Sequence, residues 1–152
     1  MAFRAEVHER THIMDDFDKI EARVAKIFEI EEAPEVTEEN LLKYREYILD
    51  HFDKKTILTG REDFLWEEYY VLGPGDPVEY KKLKKTRPSY TDEYELIDIV
   101  EGRIERNDLV AEVKRLSDGK IFEIELYWLT PKEKKTKDFQ LLDDYATWQV
   151  NW

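Results

Sequence analysis

The stretch that most constrains this chain runs from Leu109 to Trp128, LVAEVKRLSDGKIFEIELYW, where apolar and charged residues alternate on both sides of Asp118-Gly119. A two-residue type I′ turn needs φ > 0 at both central positions, and Asp-Gly tolerates this well. The sequence therefore predicts an antiparallel hairpin with Asp118-Gly119 at its tip. That register sets Ser117 opposite Lys120, Leu116 opposite Ile121, Lys114 opposite Glu123, Val113 opposite Ile124 and Glu112 opposite Glu125. Farther from the tip, Ala111 meets Leu126 and Leu109 meets Trp128. Side chains alternate between the faces of a sheet, so Leu109, Ala111, Val113, Phe122, Ile124, Leu126 and Trp128 share one apolar face that must be covered. The other face sets Glu112 against Glu125, with Cβ atoms roughly 5 Å apart. Either both carboxylates splay into water, at about a few tenths of a kcal/mol, or a cation relieves them.

The cover is predicted on both sides of the strands. Phe17, Ile20, Val24, Ile27 and Phe28 recur at steps of three and four, which marks a helix over 16–31, capped by Asp15 or Asp16 and broken at Ala33-Pro34. Thr37 is the expected N-cap of a second helix, with Glu38 and Glu39 in its first turn, Leu41, Tyr44, Ile48 and Phe52 on its buried side, and an end near His51 or Phe52. The two helices are expected to pack as an antiparallel pair. Phe139, Leu142, Tyr145 or Ala146, and Val150 repeat at helical spacing and predict a terminal helix over 139–149. Between these elements, 56–59, 66–72 and 94–100 read as strands, 73–77 as a turn, 78–85 as one or two helical turns with a basic end, and 102–108 as a loop. The sum is an α+β class: a small curled antiparallel sheet or SH3-like barrel of about five strands, two N-terminal helices and one C-terminal helix. Residues 1–14 read as a polar N-terminal extension and 15–152 as one domain.

Composition narrows the function. The 152 residues carry a net charge of −12, which disfavours a phosphate backbone as partner and suits hard cations or a basic protein surface. With no cysteine, disulfides, thiolate catalysis and Cys-ligated zinc are excluded. No apolar run has the length of a membrane span or a signal-peptide core, so the expectation is a soluble cytoplasmic protein that binds neither nucleic acid nor membrane, monomeric or weakly dimeric. Four Trp and nine Tyr argue for a packed fold over a disordered acidic chain.

One catalytic string occurs. His8-Glu9-Arg10-Thr11-His12 satisfies H-E-x-x-H, in which two imidazoles one helical turn apart share zinc and the glutamate activates water. Only seven residues precede His8, however, and no motif marks a third ligand among Glu31, Glu32 and Glu35. A zinc hydrolase is thus the remote alternative to an extension. Asp15-Asp16-Phe17-Asp18 lacks the glycine and distal glutamate of an EF-hand, and no Walker sequence, dinucleotide turn or nucleophile elbow is present. What remains is carboxylate in clusters: Glu62-Asp63 and Glu67-Glu68 around Trp66, Asp92-Glu93-Glu95, Glu112 with Glu125, and Asp143-Asp144. A solvated face is the ordinary fate of such clusters, while convergent turns and strand ends would give calcium the several oxygens it needs.

The segment Thr59–Leu96, TGREDFLWEEYYVLGPGDPVEYKKLKKTRPSYTDEYEL, with VKRLSDGKIFEIEL and FQLLDDYATWQVNW after it, resembles the cyanobacterial calcium-binding protein family, which holds calcium without EF-hands. The likeness covers roughly residues 34–152, and its most recognisable runs are Glu62–Glu68, Pro88–Asp92 and Leu141–Tyr145. It implies a compact β-rich domain that binds calcium and has no catalytic activity. Clustering within those runs makes Glu62, Asp63, Glu67, Asp92, Asp143 and Asp144 the candidate metal ligands. The leading expectation is therefore a calcium buffer or sensor. The alternative, from a different class, is an acidic interaction module of the immunity or inhibitor kind, which covers a basic partner site and uses Tyr69, Tyr70, Tyr90, Trp148 and Trp152 as exposed anchors.

Overall fold

The alternation read from the hairpin extends into a five-stranded antiparallel sheet in the computed structural model, which describes residues 16–152. The strands are β1 (Ile57–Gly60), β2 (Tyr94–Glu105), β3 (Asp108–Arg115), β4 (Ile121–Glu125) and β5 (Leu129–Pro131), in the spatial order β4-β3-β2-β1-β5. β4 and β5 are edges, so the sheet stays open and the barrel form of the expectation is not adopted. Five α-helices are described: α1 (16–27), α2 (Glu38–His51), α3 (Glu68–Val71), α4 (Pro77–Leu83) and α5 (Lys137–Asn151). The α+β class, with two N-terminal helices and one C-terminal helix beside a small antiparallel sheet, is the one expected. No helix among the described residues is long and apolar enough to cross a membrane.

The helix ends follow their capping chemistry. Thr37 Oγ1 accepts the Asn40 N–H at the start of α2, and Thr136 Oγ1 accepts the Phe139 N–H, so α5 begins two residues before the apolar repeat announced it. α1 stops short of the Ala33-Pro34 break. Glu29 takes φ 57°, the Ile30 N–H donates to Ala25 O and the Glu29 N–H to Lys26 O, which is a Schellman closure. Tyr44, Ile48, Val24, Leu142, Tyr145 and Trp148 then meet Tyr94, Leu96, Ile99, Leu109, Ala111 and Val113 in one buried cluster. Each such aliphatic side chain contributes about 1.5–3 kcal/mol by leaving water.

Three expectations are corrected. The tight turn lies between β2 and β3, at Arg106-Asn107, where φ is 53° and 61°; residues 102–105 therefore belong to a strand that was expected to be a loop. At the predicted tip, Arg115 and Lys120 close a four-residue loop, with the Arg115 N–H donating to Lys120 O and the Gly119 N–H to Arg115 O. Only Gly119, at φ 75°, is left-handed. Pairing slips by two residues as a result: Lys114 faces Ile121, Val113 faces Phe122, Glu112 faces Glu123, Ala111 faces Ile124 and Val110 faces Glu125. A slip of two preserves the faces, which is why the apolar side was still assigned correctly. Leu126 and Trp128 lie beyond β4 in a 3₁₀ turn, Leu126–Trp128. The third correction is at 66–72, which forms a 3₁₀ turn (Leu65–Glu67) running into α3 instead of a strand. Trp66 and Tyr70, four residues apart, pack with Tyr80 of α4, and the helical turn brings these rings together.

The open edge has a definite polarity. Because Arg115 and Lys120 form a hydrogen-bonded pair, alternation turns the N–H and C=O groups of Ile121, Glu123 and Glu125 away from β3.

Candidate functional site

Strand β3 carries its alternation one residue past the apolar set and so delivers Arg115 to the covered face. Its side chain is 3% exposed. Nη1 donates to the carbonyls of Lys84 (3.0 Å) and Arg87 (2.9 Å), and Nη2 to that of Lys85 (2.9 Å), all just past the C-terminus of α4. Two carboxylates complete the shell, with Asp92 Oδ2 3.0 Å from Nη1 and Asp118 held by Nε at 3.1 Å and Nη2 at 2.7 Å. Hydrogen bonding to this guanidinium brings the Asp118 carboxyl down to about 2. The lysines of α4 do not by themselves neutralise that end of the helix; an arginine from another strand binds the carbonyls beyond it.

Beside this hub lies Glu67, fully buried. Its Oε2 accepts Tyr80 Oη–H at 2.6 Å and Ser89 Oγ–H at 2.7 Å, and its Oε1 accepts the Tyr90 N–H at 2.8 Å. Burial, then the bond to Glu67, pushes the Tyr80 hydroxyl far above its ordinary value. Ser89 N–H donates to Asp92 Oδ2 and Tyr94 Oη–H to Ser89 O, so Glu67, Ser89, Asp92 and Arg115 form one continuous network. It fastens the excursion between β1 and β2 to the sheet. Gly60 marks the close approach at its base, since a Cβ there would lie 2.4 Å from Tyr90 Cβ.

Of the six expected metal ligands, only Glu67 and Asp92 are brought together, and both are engaged by protein donors, Glu67 through both carboxylate oxygens and Asp92 through Oδ2. Asp143 pairs with Arg61 at 3.1 Å, and Asp144 takes a bidentate contact from Arg23 at 2.7 and 2.9 Å. Glu62 is exposed and Asp63 half-buried. Among the described residues no group of three or more His, Cys, Asp or Glu side chains is arranged to hold a metal ion. His8, Glu9 and His12 lie outside the described residues. His51 stacks on Tyr47 at 4.0 Å, with Nδ1 2.8 Å from Tyr47 O.

The repulsion expected on the hairpin is present with a different partner. Asp98, Glu112 and Glu123 sit in register across β2, β3 and β4. Arg45 Nη2 approaches Asp98 at 3.7 Å, and Arg103 bridges Glu123 and Glu105. Glu112, in the middle, has no cationic side chain within ion-pair distance among the described residues.

The anchors proposed for an interaction surface are also redistributed. Trp148 is buried and donates Nε1–H to Pro34 O, while Trp152 stacks on Phe17 at 4.9 Å. Tyr70 and Tyr90 are half-buried. Tyr69 alone is exposed, and it belongs to a group that sequence reading passed over: Leu65, Val71, Leu72 and Val78, all exposed within the same excursion. The missed signal was an apolar residue at each of four positions, Val71 and Leu72 in a segment read as a strand, Val78 at the start of one read as helical turns, and Leu65 just before the strand.

No family model, no curated protein and no solved structure matches this chain. The class that the fold and these sites define is an open-sheet α+β domain with the arginine-paired aspartates Asp92, Asp143 and Asp144 and an exposed apolar excursion.

Proposed function

We propose that the chain is a non-catalytic acidic binding domain that docks a basic protein surface through the excursion between β1 and β2. The observation that carries this reading is the exposure of Leu72 and Val78, 77% and 76%, on a segment that Glu67 ties to Tyr80 and Ser89 by hydrogen bonds. Apolar side chains grouped in water mark surfaces that a partner covers. Glu62, Asp63, Glu68, Asp76 and Glu79 surround them in the chain, and the net charge of −12 favours a cationic partner and speeds its approach. The lack of cysteine suits a reducing cytoplasm. Capture on the immobilised domain tests the reading: a basic protein should be retained, released by high salt, indifferent to EDTA, and lost with Leu72→Asp/Val78→Asp. Retention unchanged by that double variant would overturn it.

A second reading, calcium binding without an EF-hand, is favoured by the row Asp98–Glu112–Glu123, whose central carboxylate lacks a cation, and by the resemblance of Thr59–Leu96 to the cyanobacterial calcium-binding family. Calcium at a hundredfold excess over its dissociation constant would stabilise the fold by about 2.7 kcal/mol. Melting in calcium, magnesium and EDTA decides: a calcium-specific rise that Glu112→Gln removes supports the reading, and superimposable melts end it.

A further inference from the structure

Three helical stripes converge on a cleft of about 480 Å³ that neither proposal uses. Arg23, Lys26 and Ile27 come from α1, Tyr47 and His51 from α2, and Lys137 and Leu141 from α5; Arg23 stands three and four residues from Lys26 and Ile27, and the other two pairs are four apart, spacings that share a helix face. The volume is that of an ordinary small-molecule site. Ile27, Leu141 and the Tyr47 ring supply apolar wall. The charges at the site run against the rest of the molecule. Arg23 is engaged by Asp144, and the carboxylate of Asp138 accepts from Thr56 Oγ1 and the Asp53 N–H. Lys26 and Lys137 are exposed, and neither has an acidic partner within ion-pair distance among the described residues. In a chain of net charge −12, this cleft sets the three cations Arg23, Lys26 and Lys137 against the two carboxylates of Asp138 and Asp144, a local excess of positive charge.

We propose that this cleft binds a small molecule with one anionic head and an apolar stem, of the medium-chain carboxylate class. The head lies between Lys26 and Lys137, and the stem covers Ile27 and Leu141. The site does not depend on the excursion or on the carboxylate row, so it stands or falls apart from the readings above. Calorimetry and amide shifts with sodium octanoate as probe test it, with octan-1-ol and inorganic phosphate as controls. Octanoate should saturate at one site and shift the amides of Lys26, Ile27, Lys137 and Leu141, with both controls binding at least about tenfold more weakly. Lys26→Glu/Lys137→Glu, changes at exposed positions that leave the melting temperature in place, should weaken octanoate by about tenfold or more, the scale of one lost charge-assisted contact. No saturable shift, an affinity unmoved by the double variant, or equal binding of octanol or phosphate would each overturn the proposal.

Discussion

The two ends of β3 set the proton affinity of an aspartate in opposite directions. At its start, Asp108 is 2% exposed and accepts Tyr145 Oη–H at 2.5 Å and the Tyr127 N–H at 3.0 Å. No cation reaches it among the described residues, and burial pushes its carboxyl up to about 6. At the far end, Arg115 binds Asp92 and Asp118, and Asp118 is brought down to about 2. A carboxylate is raised by desolvation and lowered by a hydrogen-bonded cation; Asp108 at the start of the strand and Asp118 in the loop beyond its end, ten residues on, show the two outcomes.

Breaking the cationic end should have the largest effect. Arg115→Leu strands Asp92 and three carbonyls, and a loss of about 3–5 kcal/mol in urea unfolding is expected. The pH dependence of the two ends comes next, with opposite signs. Asp108 binds its proton more tightly folded than unfolded, so its contribution is full below about pH 4 and is lost as pH rises through about 6, by ~3 kcal/mol. Asp118 binds its proton less tightly folded, so its contribution is present above about pH 4 and is lost as pH falls through about 2. Urea midpoints measured from pH 2 to 7 should show both limbs, and Asp108→Asn should flatten only the one between 4 and 6. Tyr145→Phe removes a donor that lowers Asp108, so it should cost about 1–2 kcal/mol at neutral pH and move the Asp108 limb higher. Arg103→Ala sharpens the contrast from the outside: its glutamate partners are half-exposed, and less than about 1 kcal/mol should be lost.

What the sequence disclosed was what local spacing encodes. α2 and α5 follow from a threonine cap and an apolar repeat, and the inner face of β3 from strict alternation. The turns were misassigned because Asp118 is diverted: its carboxylate accepts from Arg115 and from the Lys120 N–H, which selects the wider loop. The positive φ angles pass instead to Arg106-Asn107, a weaker pair of turn residues that the crossing from β2 to β3 nonetheless requires. The acidic clusters were visible, but their counter-ions were not. Arg23 is 121 residues from Asp144, Arg61 is 82 from Asp143, and Arg115 is 23 from Asp92, separations that no motif spans. An arginine continuing an apolar alternation at the end of β3 was the one available sign of a buried cation.

The outward-turned N–H and C=O groups of Ile121, Glu123 and Glu125 give the molecule an unfinished margin, and the ion pairs of Glu123 with Arg103 and of Glu125 with Arg106 crowd charged side chains along it, which discourages a copy of itself from zipping onto it. The same charged side chains therefore set how concentrated the protein can become before copies stack side by side, a limit that light scattering over a concentration series would reveal.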